Sequence, residues 1–321
     1  MRARRLVSQS PEISVLGFGS WALGGPWKFG WGPSDDDEGI AAIRHAIDSG
    51  VTWIDTAAVY GYGHSEEVVG RAVERYRAGE EVLVFTKCGE PWLDAAGRTH
   101  GDGLRPDSIR EECEYSLRRL GVERIDLYQF HWPDTRTGTP VEESWGTMAE
   151  LADEGKIRWA GVCNFSPDLL ERCEPIRHVD SVQPPLSLLH PEAREDVIPW
   201  ALEHGSGVIA YSPMASGLLT GAFDRERLDK LAPDDWRRHA ADFQEPELSR
   251  ALRIVDGLRP IAERLRCSLP TLAVAWALTV PGVTGAIVGA RRPAQVDDWL
   301  PAGELDLDEE TLAEIEQLIA A

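Results

Sequence analysis

The segment at residues 51–67, VTWIDTAAVYGYGHSEE, joins a short apolar run to a glycine-rich turn and the start of a helix. The run is β-branched and aromatic, and it ends on the acid Asp55. Two tyrosines, Tyr60 and Tyr62, lie among the glycines that follow. After Ser65, two acids stand where the positive end of a helix dipole favours them. The segment therefore predicts a strand, a loop and a helix, in that order.

The same order recurs along the whole chain. Eight apolar runs lie at residues 16–21, 51–56, 82–87, 125–132, 157–164, 179–183, 207–212 and 285–289. Their near-continuous apolar character is typical of parallel strands that are buried on both faces. Amphipathic helical patterns separate the runs, and some end on a glycine such as Gly50 or Gly121, which suits a helix C-cap.

Eight strands in alternation with helices predict an α/β protein built as a (β/α)8 TIM barrel. The chain has 321 residues, a length that is ordinary for one such barrel, so a single domain over residues 1–321 is expected. Residues 5–14 are interpreted as a short N-terminal β-hairpin, and the last helical patterns as extra C-terminal helices.

The bulk composition excludes several classes of partner. The formal net charge is −21, which repels nucleic acid and anionic membrane surfaces. The longest apolar run, residues 271–280, is about half of the roughly 20 residues that a membrane helix needs. The basic N-terminus lacks the apolar stretch of a signal peptide, and five cysteines without paired spacing indicate reduced thiols. A cytoplasmic protein is expected, and its oligomeric state is left open.

Polar residues follow the predicted strands where each strand ends. In chain order these residues are Asp55, Lys87, His131, Asn164, Gln183 and Tyr211. The carboxyl ends of barrel strands meet at one mouth, where TIM-barrel active sites lie. For any one of these residues taken alone, a solvated strand end is the commoner explanation. An acid, a lysine and a histidine on three neighbouring strands, with a tyrosine close by, instead indicate an active site.

These residue types suit proton transfer beside a polarised oxygen. A free tyrosine has a pKa near 10, and an adjacent ammonium such as that of Lys87 favours the phenolate. Asp55 could hold Lys87 in place, and His131 could donate a hydrogen bond to a carbonyl. The sequence has neither a nucleophilic serine motif nor a metal-ligand spacing, so no metal is expected. This combination favours carbonyl reduction with hydride from a bound cofactor.

Several motifs resemble those of the aldo-keto reductase family, in the same order along the chain. They are D-T-A-x-x-Y-G-x-G-x-S-E at residues 55–66, TK at 86–87, QFHWPD at 129–134, GVCNFS at 161–166, YSPMASGLLTG at 211–221 and GARRPAQVDD at 289–298. The resemblance runs from about residue 16 to residue 299 and is strongest to bacterial NADP-dependent members. It implies that Tyr60 is the general acid, that Asp55 and Lys87 tune it, and that His131 orients the carbonyl.

The resemblance also implies a cofactor site for NADP(H) that needs no Rossmann fold. Asn164 and Gln183 would hold the nicotinamide carboxamide, and Tyr211 would stack on the nicotinamide ring. The residues implied along the pyrophosphate are Ser212, Met214, Ser216, Gly217 and Leu218. Those implied at the distal, adenine end are Gly289, Arg291, Gln295 and Asp298. The adjacent pair Arg291 and Arg292 could bind a 2′-phosphate, which favours NADPH over NADH, although a solvated helix start would look the same.

Aromatic residues are frequent in the segments predicted at the mouth. Four of them, Trp21, Trp27, Trp92 and Trp132, are interpreted as contacts to a small carbonyl substrate, with simple loop packing as the alternative. Residues 89–105 and 21–33 are expected to form the walls of the pocket. The predicted reaction is reduction of an aldehyde or ketone, with a sugar or an aromatic aldehyde as candidates. A cofactor-binding regulatory subunit and a barrel isomerase or lyase remain as alternatives.

Overall fold

Eight parallel strands close into a barrel in the computed structural model, which describes residues 1–8, 10–76, 82–93 and 99–320. The strands are β1 Ala3–Arg5, β2 Glu12–Ser14, β3 Leu16–Gly19, β4 Trp53–Asp55, β5 Leu83–Cys88, β6 Trp92–Leu93, β7 Thr99–His100, β8 Ile125–Phe130, β9 Ile157–Cys163, β10 Ser181–Gln183, β11 Gly207–Ala210 and β12 Val283–Gly289. The barrel order is β3-β4-β5-β8-β9-β10-β11-β12, and β12 pairs with β3. Each barrel strand coincides with one predicted run, which confirms the TIM barrel.

Helices pack around the barrel between consecutive strands, and the last two helices follow the final strand. They are α1 Asp36–Asp48, α2 His64–Val73, α3 Pro106–Leu120, α4 Val141–Asp153, α5 Pro167–Cys173, α6 Val197–His204, α7 Arg225–Asp229, α8 Glu247–Leu265, α9 Leu269–Thr279, α10 Pro293–Asp297 and α11 Glu309–Ala320. The side chain of Asp35 accepts hydrogen bonds from two backbone N–H groups at the start of α1. Gly121, with φ of 65°, ends α3 in the left-handed conformation predicted for a C-cap.

The outer core lies between the barrel and its helices. Its largest fully buried side chains include Trp145 on α4 and Trp276 on α9. Helix α9 is apolar all round and buried along most of its length, as expected for a helix enclosed by others. Within the described ranges, no helix is both long and apolar enough to cross a membrane.

The inside of the barrel is built in layers. Trp53, Phe85 and Leu127 are fully buried on β4, β5 and β8, and they belong to one interior apolar cluster. Side chains on one face of a strand repeat every second residue. The next residues on the same face are therefore two positions further along each strand, at the carboxyl end of the barrel, and these are polar.

The N-terminal hairpin closes the opposite end of the barrel. Strands β1 and β2 pair antiparallel, which confirms the predicted hairpin. Leu6, Val7 and Ile13 from the hairpin join the interior apolar cluster. The carbonyl oxygen of Leu6 lies so close to Gly207, at the start of β11, that any side chain there would overlap it. The barrel is therefore plugged at the amino ends of its strands.

Candidate active site

The polar layer of the barrel is centred on a buried ion pair. The ammonium of Lys87 on β5 donates to Asp55 Oδ1 on β4 and, at 2.9 Å, to the carbonyl oxygen of Thr56. Both side chains of the pair are almost completely buried. Asp55 Oδ2 accepts hydrogen bonds from Nε2 of Gln183 at 3.0 Å and Nε2 of Gln129 at 3.3 Å. Every oxygen of the carboxylate thus has a donor, which offsets the cost of burying the pair.

Tyr60 lies directly above this pair, in the turn between β4 and α2. Its ring centroid is 5.3 Å from Nζ of Lys87 and 5.6 Å from the ring centroid of His131. The rings of Trp21 and Trp27 lie on its other sides, at centroid distances of 6.4 and 5.9 Å. The structure therefore brings Asp55, Tyr60, Lys87 and His131 together, as the sequence predicts.

The surroundings of Tyr60 shift the pKa of its phenol in the direction opposite to the one that the sequence predicts. Burial raises the pKa of the phenol well above its usual value, and the charge of Asp55 raises this pKa further. The lowering that the sequence predicts from Lys87 is thus not observed, because burial and the negative charge of Asp55 both disfavour the phenolate. Tyr60 is consequently protonated at neutral pH, which is the state that a general acid requires.

His131 is held in the neutral state. Burial lowers the pKa of its imidazole well below the usual value, and the ammonium of Lys87 lowers this pKa further. A neutral imidazole carries one N–H donor, which can bond to a carbonyl oxygen without adding a charge. The site therefore offers two donors, a phenol and an imidazole, beside one fixed ammonium.

A cavity of about 1490 Å³ extends from these residues along the carboxyl end of the barrel. Most of the predicted cofactor contacts line it, namely Asn164, Gln183, Tyr211, Ser212, Met214, Ser216, Gly217, Gly289, Arg291, Gln295 and Asp298. Leu218 is the exception, because it is fully buried and lies outside the lining. Asp55, Tyr60 and His131 line the cavity too, whereas Lys87 lies beneath its floor.

Amide and hydroxyl groups are fixed at the inner end of the cavity. Asn164 Nδ2 donates to the carbonyl oxygen of His131 at 3.1 Å, and the hydroxyl of Tyr211 donates to Asn164 Oδ1 at 2.9 Å. Asn164 also has a φ of 62°, a left-handed conformation that asparagine tolerates better than most residues. These contacts hold the amide beside His131, where it can bind a carboxamide.

The middle of the cavity is lined by a strained loop after β11. Ser212, Ala215, Ser216 and Gly217 all have positive φ, between 47° and 100°. Such conformations are rare for residues other than glycine, and they cluster at ligand clamps. Successive backbone N–H groups in this kind of turn form concavities that bind anions. The loop therefore fits the position of a pyrophosphate.

Residues missed by the sequence analysis form the roof of this part of the cavity. The guanidinium of Arg237 donates to both carboxylate oxygens of Asp235 and, at 3.4 Å, to the carbonyl oxygen of Ser216. It also lies 4.3 Å from the ring centroid of Trp31. Trp236 donates its backbone N–H to Gly30, which joins the loop after β11 to the loop after β3.

The walls at the mouth only partly follow the prediction. Residues of the segment 21–33 line the cavity, including Trp21 and Trp27, and so does Trp132 in the loop after β8. The segment 89–105 contributes Glu90, while its residues 94–98 lie outside the described part of the chain. Trp92 does not line the cavity, because its ring is buried against His100 at a centroid distance of 4.4 Å. Its predicted contact with substrate is thus replaced by loop packing.

The chain is similar in sequence and fold to several known proteins. A sequence profile of the Aldo/keto reductase family matches residues 15–320. The chain is 39% identical over 287 residues to the Aldo-keto reductase YhdN of Bacillus subtilis (strain 168), covering 89% of this chain and 84% of that protein. It is 33% identical over 307 residues to the NADH-specific methylglyoxal reductase of Escherichia coli (strain K12), covering 92% of each. The structure of the glycerol dehydrogenase AKR11B4 from Gluconobacter oxydans matches with a TM-score of 0.88 at 37% identity, covering 99% of this chain and 95% of that one.

Proposed function

The chain belongs to the aldo/keto reductase family, and on this basis we propose that it is an NADPH-dependent reductase of aldehydes or ketones with Tyr60 as general acid. The observation that carries the proposal is the position of Tyr60, with its ring beside the Lys87 ammonium and the neutral imidazole of His131. An oxidoreductase that reduces carbonyl groups needs such donors beside a bound nicotinamide.

The residues of the cavity fit a nicotinamide dinucleotide. The amides of Asn164 and Gln183 line its inner end, the strained loop at residues 212–217 lines its middle, and Gln295 and Asp298 line its outer end. The nicotinamide, when bound, supplies the hydride. Asn164 and Gln183 would hold its carboxamide, and the ring of Tyr211 would pack against its plane.

The protein's own groups supply the proton and the stabilisation of charge. His131 donates a hydrogen bond to the carbonyl oxygen and polarises it. As the carbonyl carbon gains the hydride, the oxygen takes the phenolic proton of Tyr60, and an alcohol and a phenolate result. The ammonium of Lys87, which Asp55 holds in place, stabilises the phenolate until solvent returns the proton.

The preference for NADPH rests on the arginines at the outer end of the cavity. Burial lowers the pKa of the Arg291 guanidinium, and the positive charge of Arg237 close by lowers this pKa further. Arg291 donates to the backbone carbonyl oxygens of Trp31 and Pro33. Arg292 is exposed, lines the cavity and, within the described ranges, forms no ion pair, so its guanidinium can bind a 2′-phosphate.

The substrate would meet aromatic walls. Trp21, Trp27, Phe29 and Trp132 line the mouth, and the side chain of Trp132 is 49% exposed. Flat rings of this kind pack against aromatic aldehydes or against the C–H faces of sugars. The names of two relatives refer to methylglyoxal and glycerol, so methylglyoxal belongs among the aldehydes to be tested, and glycerol belongs in a reverse assay with oxidised cofactor.

The direct test is a turnover assay with both reduced cofactors. The protein is mixed with NADPH or NADH and with aromatic aldehydes, aldoses and methylglyoxal, and the loss of reduced-nicotinamide absorbance is followed. We expect turnover with at least one aldehyde and a lower KM for NADPH than for NADH. Cofactor binding without any turnover across the panel would instead support a regulatory role.

A further inference from the structure

Gln129 is a fully buried polar residue inside the barrel. It lies on β8 two residues after Leu127 of the interior apolar cluster, and its strand partners are Lys87 on β5 and Gly161 on β9. Gln129 therefore faces the barrel axis in the same layer as Asp55 and Lys87. It lies beneath the cavity floor and does not line the cavity itself.

The barrel makes room for this side chain. A Cβ on Gly161 would lie 3.2 Å from Cγ of Gln129 and 2.9 Å from the carbonyl oxygen of Ser181. The first distance is tighter than nearly all real contacts of a Cβ, so a side chain at position 161 would press on Gln129. The glycine thus leaves a slot that the glutamine fills.

The hydrogen bonds of Gln129 fix the orientation of a second glutamine. A carboxylate only accepts hydrogen bonds, so both Gln129 and Gln183 turn their NH2 groups toward Asp55 Oδ2. Gln183 Nε2 has two hydrogens, and its second acceptor is Gln129 Oε1 at 2.9 Å. The amide nitrogen of Gln183 is then fully used. Its oxygen, which the thiol of Cys163 approaches at 3.7 Å, is left to accept a bond from a carboxamide.

We propose that Gln129 is a positioning residue that joins the acid–base group of Asp55 and Lys87 to the amide of Gln183. Its hydrogen bond to Asp55 Oδ2 reduces the negative charge that this carboxylate directs at Tyr60. Its hydrogen bond from Gln183 Nε2 orients the Gln183 amide so that the oxygen faces the nicotinamide carboxamide. The proposal rests on the proposed function, because both ends of this link belong to that site.

The hydrogen bond from Gln129 to Asp55 also affects how the reaction rate depends on pH. The titratable groups that face this layer are Tyr60, Lys87, His131, Cys163 and Tyr211. The charge of Asp55 already raises the pKa of Tyr60. Without the Gln129 amide, less of the negative charge of Asp55 is compensated, so the pKa of Tyr60 should rise further. The alkaline limb of the rate profile then moves to higher pH.

The test uses Gln129→Met, which keeps the length of the side chain and removes its hydrogen bonds. Leu127→Met, one layer below on the same strand, controls for a change in barrel packing. We expect Gln129→Met to raise the dissociation constant for NADPH about five- to tenfold, the effect of one lost hydrogen bond. We also expect the alkaline limb of kcat/KM to move to higher pH. Leu127→Met should change neither quantity.

A second variant keeps the test decisive if Gln129→Met folds poorly. The neutral carboxyl of Gln129→Glu can donate to Asp55 and accept from Gln183, whereas its ionised form repels Asp55. NADPH binding should be close to wild type at about pH 6 and weaker by about tenfold or more at about pH 9.

Three results would overturn the proposal. They are an unchanged NADPH dissociation constant and pH profile of kcat/KM in Gln129→Met, equal changes of both quantities in Leu127→Met, or an NADPH dissociation constant of Gln129→Glu that does not depend on pH. Wild-type protein separates the two proposals. Cofactor binding without aldehyde turnover contradicts the proposed function but still permits the binding measurements on Gln129.

Discussion

Gly24 and Gly61 meet backbone to backbone, so that the loop after β3 rests directly on the turn that carries Tyr60. A Cβ on Gly24 would lie 2.8 Å from the backbone nitrogen of Gly61. A Cβ on Gly61 would overlap the Gly24 carbonyl oxygen, and the φ of Gly61 is 60°. Trp21 and Trp27 of the first loop are thereby held against the ring of Tyr60.

We expect Gly61→Ala to separate these two loops. The methyl group must displace Gly24, so kcat/KM should fall by about tenfold or more, and unfolding should become easier by about 1–3 kcal/mol. Gly138→Ala is the matched control, because Gly138 has a φ of 71° but no atom within 4 Å of an added Cβ. Steady-state kinetics and urea unfolding measure both effects. Equal kinetic losses in the two variants would show that backbone strain, not the contact, is responsible.

The two tyrosines of the opening segment should differ in their effect on turnover. Tyr60→Phe removes the proton donor, so kcat should fall by about 10²–10⁴-fold while the dissociation constant for NADPH stays within a few-fold. Tyr62 is 40% exposed, lies outside the cavity lining and stacks on Trp92, so Tyr62→Phe is the control and should keep near wild-type turnover. Retained turnover in Tyr60→Phe would exclude it as the acid.

Arg292→Ala should separate the two cofactors. Loss of the guanidinium removes a charge-assisted bond to a 2′-phosphate, so KM for NADPH should rise about tenfold and KM for NADH should change little. Arg292→Lys keeps the charge and should recover part of the loss. The ratio of kcat/KM for the two cofactors gives the answer, and an unchanged ratio would place the 2′-phosphate contact elsewhere.

Glu112 should make the stability of the protein depend on pH. Burial raises the pKa of this carboxyl from 4.5 to about 8. Between these values the unfolded chain has lost the proton while the folded protein still binds it. The contribution of Glu112 to the free energy of unfolding is therefore fully present below its unfolded pKa. This contribution falls by a few kcal/mol as the pH rises toward 8.

Glu112→Gln removes this titration. The difference in unfolding free energy between wild type and variant, measured in urea at about pH 6 and about pH 8.5, should shift in favour of the variant at the higher pH. A constant difference would mean that Glu112 is ionised throughout. The aldehyde assay provides a check that the folded state is otherwise unchanged.

The barrel was predictable because buried parallel strands leave a strong signal in the sequence. All eight runs contain the observed strands or overlap them, and the polar residues that end them meet at one mouth. Only the extent differs: the predicted seventh run reached residue 212, whereas β11 stops at Ala210 and Tyr211 forms a single bridge with Pro185.

The roof of the cavity could not be predicted in the same way. Arg237 and Trp236 belong to a long loop without periodicity, and their positions depend on contacts with Gly30 and Trp31 from a distant segment. The high pKa of Tyr60 was equally hidden, because it depends on how much water the folded loops exclude. Gln129 did leave a signal, as a polar residue inside the predicted strand run at residues 125–132.

The plug formed by β1 and β2 has a practical consequence for engineering. Among the described residues 1–8 and 10–15, none lines the cavity, and the rest of the interior apolar cluster lies between the hairpin and the polar layer above it. Loops at the mouth can therefore be diversified in a library without touching the hairpin. A search for variants with new substrate range should randomise Trp21, Trp27 and Phe29 in the segment 21–33, and should leave Gly24 and the opposite end of the barrel constant.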